Sequence, residues 1–405
     1  MTGTLVIGAG QAAASLAIKL RALGYDADIT IIGQEPTPPY QRPPLSKAFL
    51  RGDLTEDRLL LRPAAFWADN NISLLLEETA TQVDVAGKTV TTDKSATLSF
   101  DHLVFATGAT PRHLPDAIGG ALGNVFCIRG KNDVAQLAPQ LKPGKKLVVI
   151  GGGYIGLEAA AVARKLDMDV TLIESQPRIL QRVAAQETSD YFRKLHQDNG
   201  VNVLENTPIQ GLVGDQDVSG VALQDGSVLA ADLVITGIGV TPNSEIADAA
   251  GIKVLNGIIT DDHCRTSADN IWAIGDCASF AYRGETIRLE SVGNAIDSGD
   301  CVAANIAGTD TPYVPKPWFW SDQYDTKLQI AGLNLGYTEV ITRNDAAAAG
   351  LSFWYYQNDT LIAVDSVGDR KAYLGGKKMI ETGISPLKSD VADVTKSVKE
   401  IMLAG

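Results

Sequence analysis

The fold is decided by two stretches of similar pattern, T-L-V-I-G-A-G-Q-A-A at residues 4–13 and K-L-V-V-I-G-G-G-Y-I-G at residues 146–156. In each, an apolar run predicts a buried strand, a glycine-rich turn follows, and a helix begins directly after it. The first glycine permits a tight turn, the second lets the backbone approach a pyrophosphate, and the third position allows close helix packing. The pyrophosphate then lies at a helix N-terminus, where the dipole favours negative charge. We therefore predict two dinucleotide-binding domains in one α/β chain.

Size and composition narrow the class of protein. A length of 405 residues predicts two or three domains, and 45% hydrophobic with 20% charged residues is typical of a soluble globular protein. The net charge of −13 argues against a nucleic acid or an acidic membrane surface as a partner. Since no run of about 18 apolar residues occurs, we expect no membrane span. We expect a cytoplasmic protein, because the first lysine, Lys19, comes too late for a secretory signal.

The pattern of strands and helices predicts that the second nucleotide unit is inserted into the first. Pro111–Pro115 indicates a crossing into a new unit, the strand–glycine–helix pattern restarts at Lys145, and elements of the first type return after residue 237. We therefore predict one discontinuous domain at 1–110 and 238–308, and a second at 111–237. Beyond Gly308, a hairpin signal predicts two strands, and the helical spacing of Val391, Val394, Val398 and Met402 predicts an amphipathic C-terminal helix. Together they predict a third, α+β domain at 309–405.

The cysteines bear on the chemistry by their spacing. Cys127, Cys264, Cys277 and Cys301 form no C-x-x-C pair and have no zinc-ligand spacing, so we predict free buried thiols and no metal site. Disulfide reductases of comparable architecture need a cysteine pair beside the flavin, so the absence of a pair argues against that class. NADH oxidases often keep a reactive cysteine after the first helix, and residues 30–60 hold no cysteine.

The residue after the second strand of each unit indicates which dinucleotide binds. Glu174 stands there in the second unit, and a carboxylate at this position binds ribose hydroxyls and repels a 2′-phosphate. This predicts NADH, with Arg182 on its adenosine side, although Arg178 and Arg182 are also suited to a 2′-phosphate. In the first unit the matching position is Gly33, so Gln34 or Glu35 would serve instead.

Six motifs together carry a resemblance to a known family. They are R-P-P-L-S-K (42–47), A-T-G (106–108), G-G-G-Y-I-G-L-E (151–158), I-G-D-C (274–277), R-L-E-S-V (288–292) and P-W-F-W-S-D-Q-Y (317–324). This set resembles the FAD-dependent NADH:ferredoxin reductases of bacterial cytochrome P450 and ring-hydroxylating oxygenase systems, the putidaredoxin reductase-like proteins. The resemblance implies a glutathione-reductase-like architecture, with FAD in the first unit and NADH in the second. It also implies a [2Fe–2S] ferredoxin as the transient electron acceptor.

The resemblance also implies site residues. Lys47 would lie by the flavin ring and pair with Glu158, since reduced flavin is stabilised by a fixed cation and a buried lysine needs a carboxylate. Trp320 would stack near flavin and nicotinamide. The residues expected at FAD are Gly8, Gly10, Ala12, Ala13, Gln34, Glu35, Arg42, Lys47, Ala80, Thr107, Gly108, Arg129, Gly275, Asp276, Val292 and Trp320. Those expected at NADH are Gly151, Gly153, Tyr154, Ile155, Gly156, Glu174, Arg182 and Gly237.

Two other functions stay open at this point. One is a flavoprotein NADH oxidase that reduces O₂ or a small acceptor. The other is a redox-responsive interaction protein resembling apoptosis-inducing factor, in which NADH binding changes a partner surface. The oligomeric state, the identity of the ferredoxin and the place where it docks are also open.

Overall fold

The computed structural model describes residues 3–345 and 350–404. Its helices lie, in chain order, at α1 (Gln11–Ala22), α2 (Glu56–Leu59), α3 (Ala64–Asp69), α4 (Lys131–Leu137), α5 (Tyr154–Lys165), α6 (Gln186–Asp198), α7 (Glu245–Ala249), α8 (Val292–Ile306), α9 (Arg370–Thr382), α10 (Lys388–Ala392) and α11 (Val398–Ala404). Within these residues, no helix is both long enough and apolar enough to span a bilayer.

The strands lie, in chain order, at β1 (Thr4–Ile7), β2 (Ile29–Gly33), β3 (Ile72–Leu76), β4 (Ala80–Asp84), β5 (Thr89–Thr92), β6 (Thr97–Ser99), β7 (His102–Phe105), β8 (Ala109–Pro111), β9 (Val125–Phe126), β10 (Lys146–Ile150), β11 (Asp169–Ile173), β12 (Asn202–Leu204), β13 (Ile209–Gly214), β14 (Val218–Leu223), β15 (Val228–Ala230), β16 (Leu233–Thr236), β17 (Val240–Pro242), β18 (Ile258–Ile259), β19 (Ile271–Ala273), β20 (Ala278–Tyr282), β21 (Glu285–Arg288), β22 (Trp318–Gln323), β23 (Thr326–Gly332), β24 (Glu339–Asp345), β25 (Gly350–Gln357) and β26 (Thr360–Val367).

The chain divides into two compact units. The first holds the described residues of 1–42, 55–110 and 240–317, and the second those of 43–54, 111–239 and 318–405. The predicted three-domain boundaries stay a prediction.

A parallel sheet forms the centre of the first unit. Its strand order is β19-β7-β1-β2-β3, and every neighbouring pair is parallel. Val6 of the central strand is flanked by Ile31 and Val104, and all three side chains are fully buried. A strand that is buried on both faces has a continuous run of apolar residues, so these strands were recognisable from the sequence. Helix α1 packs on α8 closely enough that a Cβ on Gly299 would lie 2.9 Å from the Ala12 carbonyl oxygen.

The second unit repeats this parallel sheet and adds two antiparallel sheets. The parallel strands run β12-β11-β10-β16-β9, with β13-β14-β15 as a separate antiparallel sheet. The five strands β22-β23-β26-β25-β24 are antiparallel, and α9 packs on them. The predicted fold class, two Rossmann-like units with a C-terminal α+β part, is confirmed.

The predicted C-terminal amphipathic helix is interrupted. Residues 393–397 separate α10 from α11, although the apolar spacing across them fits one helix. Arg343 of β24 donates to the carbonyl oxygens of Val391 and Asp393, at 3.0 and 2.9 Å, which takes acceptors from the helical ladder. The Asp393 carboxylate accepts from the Thr395 amide at 3.0 Å, a local bond that competes with helix.

The proline-rich stretch before Lys47 contains one short helical turn. Residues Pro43–Ser46 form a single 3₁₀ turn, because the fixed φ of proline suits the first positions of a helical turn. This turn ends directly before Lys47.

A buried carboxylate lies in the C-terminal sheet. Asp365 of β26 accepts a hydrogen bond from Thr188 at 2.7 Å and a second from Tyr355. Burial raises the pKa of Asp365 from 3.8 to about 6, although both hydrogen bonds oppose the shift. A carboxyl whose folded pKa is raised contributes stability that is complete below pH 3.8 and is lost as the pH rises through about 6.

We expect Asp365→Asn to remove this pH dependence. As the pH rises from about 4 to about 7.5, the wild type should lose up to about 3 kcal/mol of unfolding free energy relative to the variant. Urea unfolding at both pH values measures it, with the exposed Asp359→Asn as control. A difference that is constant with pH would contradict the assignment.

Candidate functional site

The first glycine turn lies at the carboxyl edge of the parallel sheet in the first unit. Gly8 follows β1 with φ +108°, and a Cβ there would lie 2.2 Å from the Ala106 carbonyl oxygen. Gly10 is the N-cap of α1, and a Cβ on it would meet nothing within 4 Å. Because glycine has no side chain to cap the first-turn amides, the open space beside Gly10 suits a pyrophosphate. The residues present therefore fit a dinucleotide.

Two other backbone turns end at the same edge. Thr107 and Gly108 follow β7, and Gly275 follows β19 with φ +70°. A Cβ on Gly275 would lie 3.1 Å from the Ala12 side chain, so the backbone must come close there. Asp276 follows directly in a 3₁₀ turn.

Asn243 is a residue of this edge that the sequence analysis missed. Its side-chain amide donates to the Thr107 carbonyl oxygen at 2.9 Å, and its backbone amide donates to the Gly108 carbonyl oxygen at 3.0 Å. Thr107 in turn donates its hydroxyl to the Asn243 carbonyl oxygen at 2.5 Å. The available signal was the sequence T-P-N at residues 241–243, since proline and asparagine favour turns and an asparagine side chain often bonds to nearby backbone.

Acidic and basic side chains gather after β2. Glu35 accepts from Tyr40 and from Arg42, both at 2.6 Å, whereas Gln34 is exposed. A Cβ on Gly33 would lie 2.5 Å from the Ala9 Cβ. A side chain therefore does not fit at position 33, which matches Glu174 of the second unit. Of the two residues predicted to replace it, Glu35 belongs to a polar cluster, whereas Gln34 points to solvent.

The second glycine turn has the same geometry. Gly151 has φ +108°, and its Cβ would lie 2.4 Å from the Gly237 carbonyl oxygen. Gly153 is the N-cap of α5, with nothing within 4 Å of its Cβ position. A Cβ on Gly156 would lie 2.2 Å from the Gly151 carbonyl oxygen, so this third position requires glycine, whereas Ala13 is accommodated in the first unit. The second turn therefore also fits a dinucleotide.

Glu174 lies against this second turn. Its carboxylate accepts from the Gly152 amide and from the Gln176 amide, each at 2.8 Å. Arg178 is buried and donates to the Ala184 carbonyl oxygen at 2.8 Å and to Ser189, so it is committed to the protein interior. Arg182 is exposed. The contacts of Glu174 and Arg182 with a nucleotide stay predictions.

A buried ion pair lies one helical turn along α5. The Glu158 side chain is 2% exposed, and Lys47 Nζ lies 2.6 Å from its Oε2 atom. Ser46 donates to the same oxygen at 2.5 Å, and Ser321 donates to Oε1 at 2.7 Å. Burial raises the pKa of Glu158, and Lys47 opposes that shift. The two serines are site residues that sequence reasoning missed.

Aromatic side chains from β22 lie nearby in the same unit. Trp318 and Trp320 stack with ring centroids 5.5 Å apart, and both are half-buried. Phe319 faces the other side of the strand, with its centroid 4.8 Å from that of Tyr154. The Tyr154 hydroxyl is buried without a hydrogen-bond partner among the described residues. The roles of Trp320 and Tyr154 toward a cofactor stay predictions.

The remaining predicted residues lie on several elements. Ala80 begins β4 and Val292 begins α8, and both side chains are half-buried. The Arg129 amide donates to Asp133 at 2.8 Å. Ile155 is 43% exposed at the start of α5. Of the residues predicted to bind FAD, Lys47, Arg129 and Trp320 lie in the second compact unit, and all the others lie in the first.

The four cysteines are free thiols. Burial raises the pKa of the Cys127 thiol to about 11. Cys277 is fully buried and donates to the Ile274 carbonyl oxygen at 3.3 Å. Burial raises the pKa of Cys277 as well, so it has no thiolate character near neutral pH.

Comparison with known proteins covers the whole chain. The family model for pyridine nucleotide-disulphide oxidoreductases matches residues 2–299, and the model described as reductase C-terminal matches residues 318–402. Rhodocoxin reductase of Rhodococcus erythropolis is 38% identical, over 98% of this chain and 93% of that protein. Putidaredoxin reductase of Pseudomonas putida is 39% identical, over 99% of this chain and 96% of that protein.

Solved structures agree with the sequence relatives. The chain matches the covalent putidaredoxin reductase–putidaredoxin complex with a TM-score of 0.96 and 38% identity, over 100% of this chain and 98% of the solved one. It matches the ferredoxin reductase for the CYP199A2 system of Rhodopseudomonas palustris with a TM-score of 0.95 and 38% identity, over 100% of both chains.

Proposed function

This chain belongs to the pyridine nucleotide-disulphide oxidoreductase family, and from that premise we propose that it takes a hydride from NADH and passes single electrons to a [2Fe–2S] ferredoxin. It is an FAD-dependent oxidoreductase that uses NAD(H). The observation that carries the proposal is the full-length likeness to putidaredoxin reductase in its covalent complex with putidaredoxin. The ferredoxin would serve a cytochrome P450 or a ring-hydroxylating oxygenase. We also propose that the protein works in the cytoplasm, where NADH is available.

The glycine turns hold the two dinucleotides in this proposal. The first-turn amides of α1 would bind the FAD pyrophosphate, and those of α5 the NADH pyrophosphate. FAD, when bound, supplies the chemistry of accepting two electrons as hydride and releasing them one at a time. Lys47 would place its charge where the reduced ring becomes negative, and Glu158 would hold that charge in position.

Purified protein and candidate ferredoxins test this proposal in stopped flow. We expect a yellow protein that NADH bleaches rapidly and that a [2Fe–2S] ferredoxin reoxidises without oxygen, with ferricyanide as the non-specific acceptor. Reoxidation by O₂ as fast as by any ferredoxin would favour an NADH oxidase. A long-lived charge-transfer complex that no ferredoxin accelerates would favour the interaction protein. A preparation that stays colourless after incubation with FAD would refute the flavoprotein assignment.

We expect Glu174→Gln to narrow the preference for NADH over NADPH by about tenfold, since a hydrogen bond to a charged group is worth about 1.5–3 kcal/mol. Glutamine keeps the size of the side chain and removes the charge that repels a 2′-phosphate. The ratio of kcat/KM for the two nucleotides measures the change. Asp169→Asn, an exposed acid at the opposite end of β11, is the control. An unchanged ratio would remove Glu174 from the ribose site.

A further inference from the structure

A buried chain of hydrogen bonds leads from α6 to the Glu158 carboxylate. His196 Nε2 lies 2.8 Å from Gln323 Oε1, and Gln323 Nε2 lies 3.1 Å from Ser321 Oγ. Ser321 Oγ lies 2.7 Å from Glu158 Oε1. At the far end, the Tyr324 hydroxyl lies 3.2 Å from His196 Nδ1. His196, Gln323 and Ser321 are 0% exposed, so water does not satisfy these groups.

The direction of every hydrogen bond in this chain follows from its Glu158 end. A carboxylate only accepts, so Ser321 donates its hydroxyl to Glu158 and accepts from the Gln323 amide group. This orients the Gln323 carbonyl oxygen toward His196, which must then donate through Nε2. Nδ1 carries no proton and accepts from Tyr324. The neutral Nε2–H tautomer agrees with burial, which lowers the pKa of His196 to about 4.

All of these donors point toward one ionised group. Aligned hydrogen bonds polarise one another, so His196 and Gln323 strengthen the Ser321 bond to Glu158. Among the described residues, Lys47 pairs with Glu158, and Tyr154 lies one turn earlier on α5, where both Glu158 and Asp365 act on it electrostatically. Tyr154 adds no hydrogen bond, because its hydroxyl has no partner among the described residues. The serines and Lys47 therefore offset the desolvation of the carboxylate.

We propose that His196 and Gln323 are positioning residues that hold Ser321 as a donor to Glu158, and so keep Glu158 ionised and Lys47 in place. This rests on the proposed function, in which Lys47 and Glu158 lie beside the flavin. Without the His196 donor, the Gln323 amide is free to reverse. Its carbonyl oxygen would then face Ser321 and draw the serine hydroxyl away from the carboxylate.

Infrared titration of the flavin-loaded enzyme tests the proposal. The C=O stretch of protonated Glu158 is identified by its loss in Glu158→Gln, and its growth with falling pH gives the Glu158 pKa. We expect His196→Phe and Gln323→Leu to raise that pKa by about one unit, a tenfold change in the protonation equilibrium. His196→Gln retains an N–H donor and should restore the wild-type value.

Thr188→Val is the matched control, because it removes a buried hydrogen bond from the same helix α6 without touching this chain. A Glu158 pKa that is unchanged in His196→Phe, or that moves equally in Thr188→Val, would overturn the proposal. If His196→Phe does not fold, Gln323→Leu gives the same readout. Since no ferredoxin is present, a shifted pKa stands even if ferredoxin reduction fails, and that failure would refute the proposed function alone.

Discussion

We expect Gly8→Ala to yield a protein that no longer retains FAD, and Gly151→Ala to yield a yellow protein that no longer binds NADH. Both residues have φ +108°, a backbone conformation that residues other than glycine rarely adopt. The new methyl carbon would lie 2.2 Å from a carbonyl oxygen in the first case and 2.4 Å in the second. The backbone must therefore shift, and the helix N-terminus that receives the pyrophosphate shifts with it.

The expected losses are large because each substitution combines a clash with backbone strain. Strain at a non-glycine residue in such a region costs about 1–3 kcal/mol before the clash is added. We expect the affinity for the matching nucleotide to fall by about a hundredfold or more, or roughly 3 kcal/mol. Flavin absorbance per protein and the NADH dissociation constant measure the two losses separately.

Gly24→Ala and Gly144→Ala are the matched controls. Both glycines have positive φ, but a Cβ on either would meet nothing within 4 Å. Both variants place alanine at a positive φ without a steric clash. Gly24 lies in the first unit and Gly144 in the second. If Gly8→Ala keeps FAD as well as Gly24→Ala does, the first turn is not the flavin cradle.

We expect Glu158→Gln to destabilise the protein and to slow flavin reduction by NADH. Removing one member of a buried ion pair costs about 3–5 kcal/mol, because the other charge stays desolvated and unpaired. Here the remaining charge is Lys47, whose side chain is only 17% exposed. Urea unfolding gives the stability loss, and stopped-flow bleaching by NADH gives the rate.

A double-mutant cycle separates the pair from the individual side chains. We expect Glu158→Gln with Lys47→Met to recover part of the stability that either single variant loses, because no unpaired charge is left behind. Flavin reduction should stay slow in the double variant. Asp198→Asn breaks the exposed pair with Lys194 and should cost less than about 1 kcal/mol. Additive losses in the cycle would mean that the two charges do not stabilise each other.

Part of the candidate site was predictable from residue pattern. The glycine turns, Glu174 and the partnership of Lys47 with Glu158 were named from the sequence or from its family resemblance, and the structure places the two charges 2.6 Å apart. Ser46 and Ser321 were not predictable, because a serine carries no positional signal until its neighbours are known. The C-terminal helix was predicted wrongly as continuous, since apolar spacing does not reveal that Arg343 withdraws two carbonyl acceptors.

The sequence alone determined that this chain forms two dinucleotide-binding units, because the strand, the tight turn and the start of the helix are all specified within about ten consecutive residues. Only the tertiary structure decided what surrounds Glu158. Its partners come from residues 46–47, from β22 and, through β22, from α6. The strength of each of those hydrogen bonds depends on how deeply it is buried, and burial depends on how these distant segments pack together.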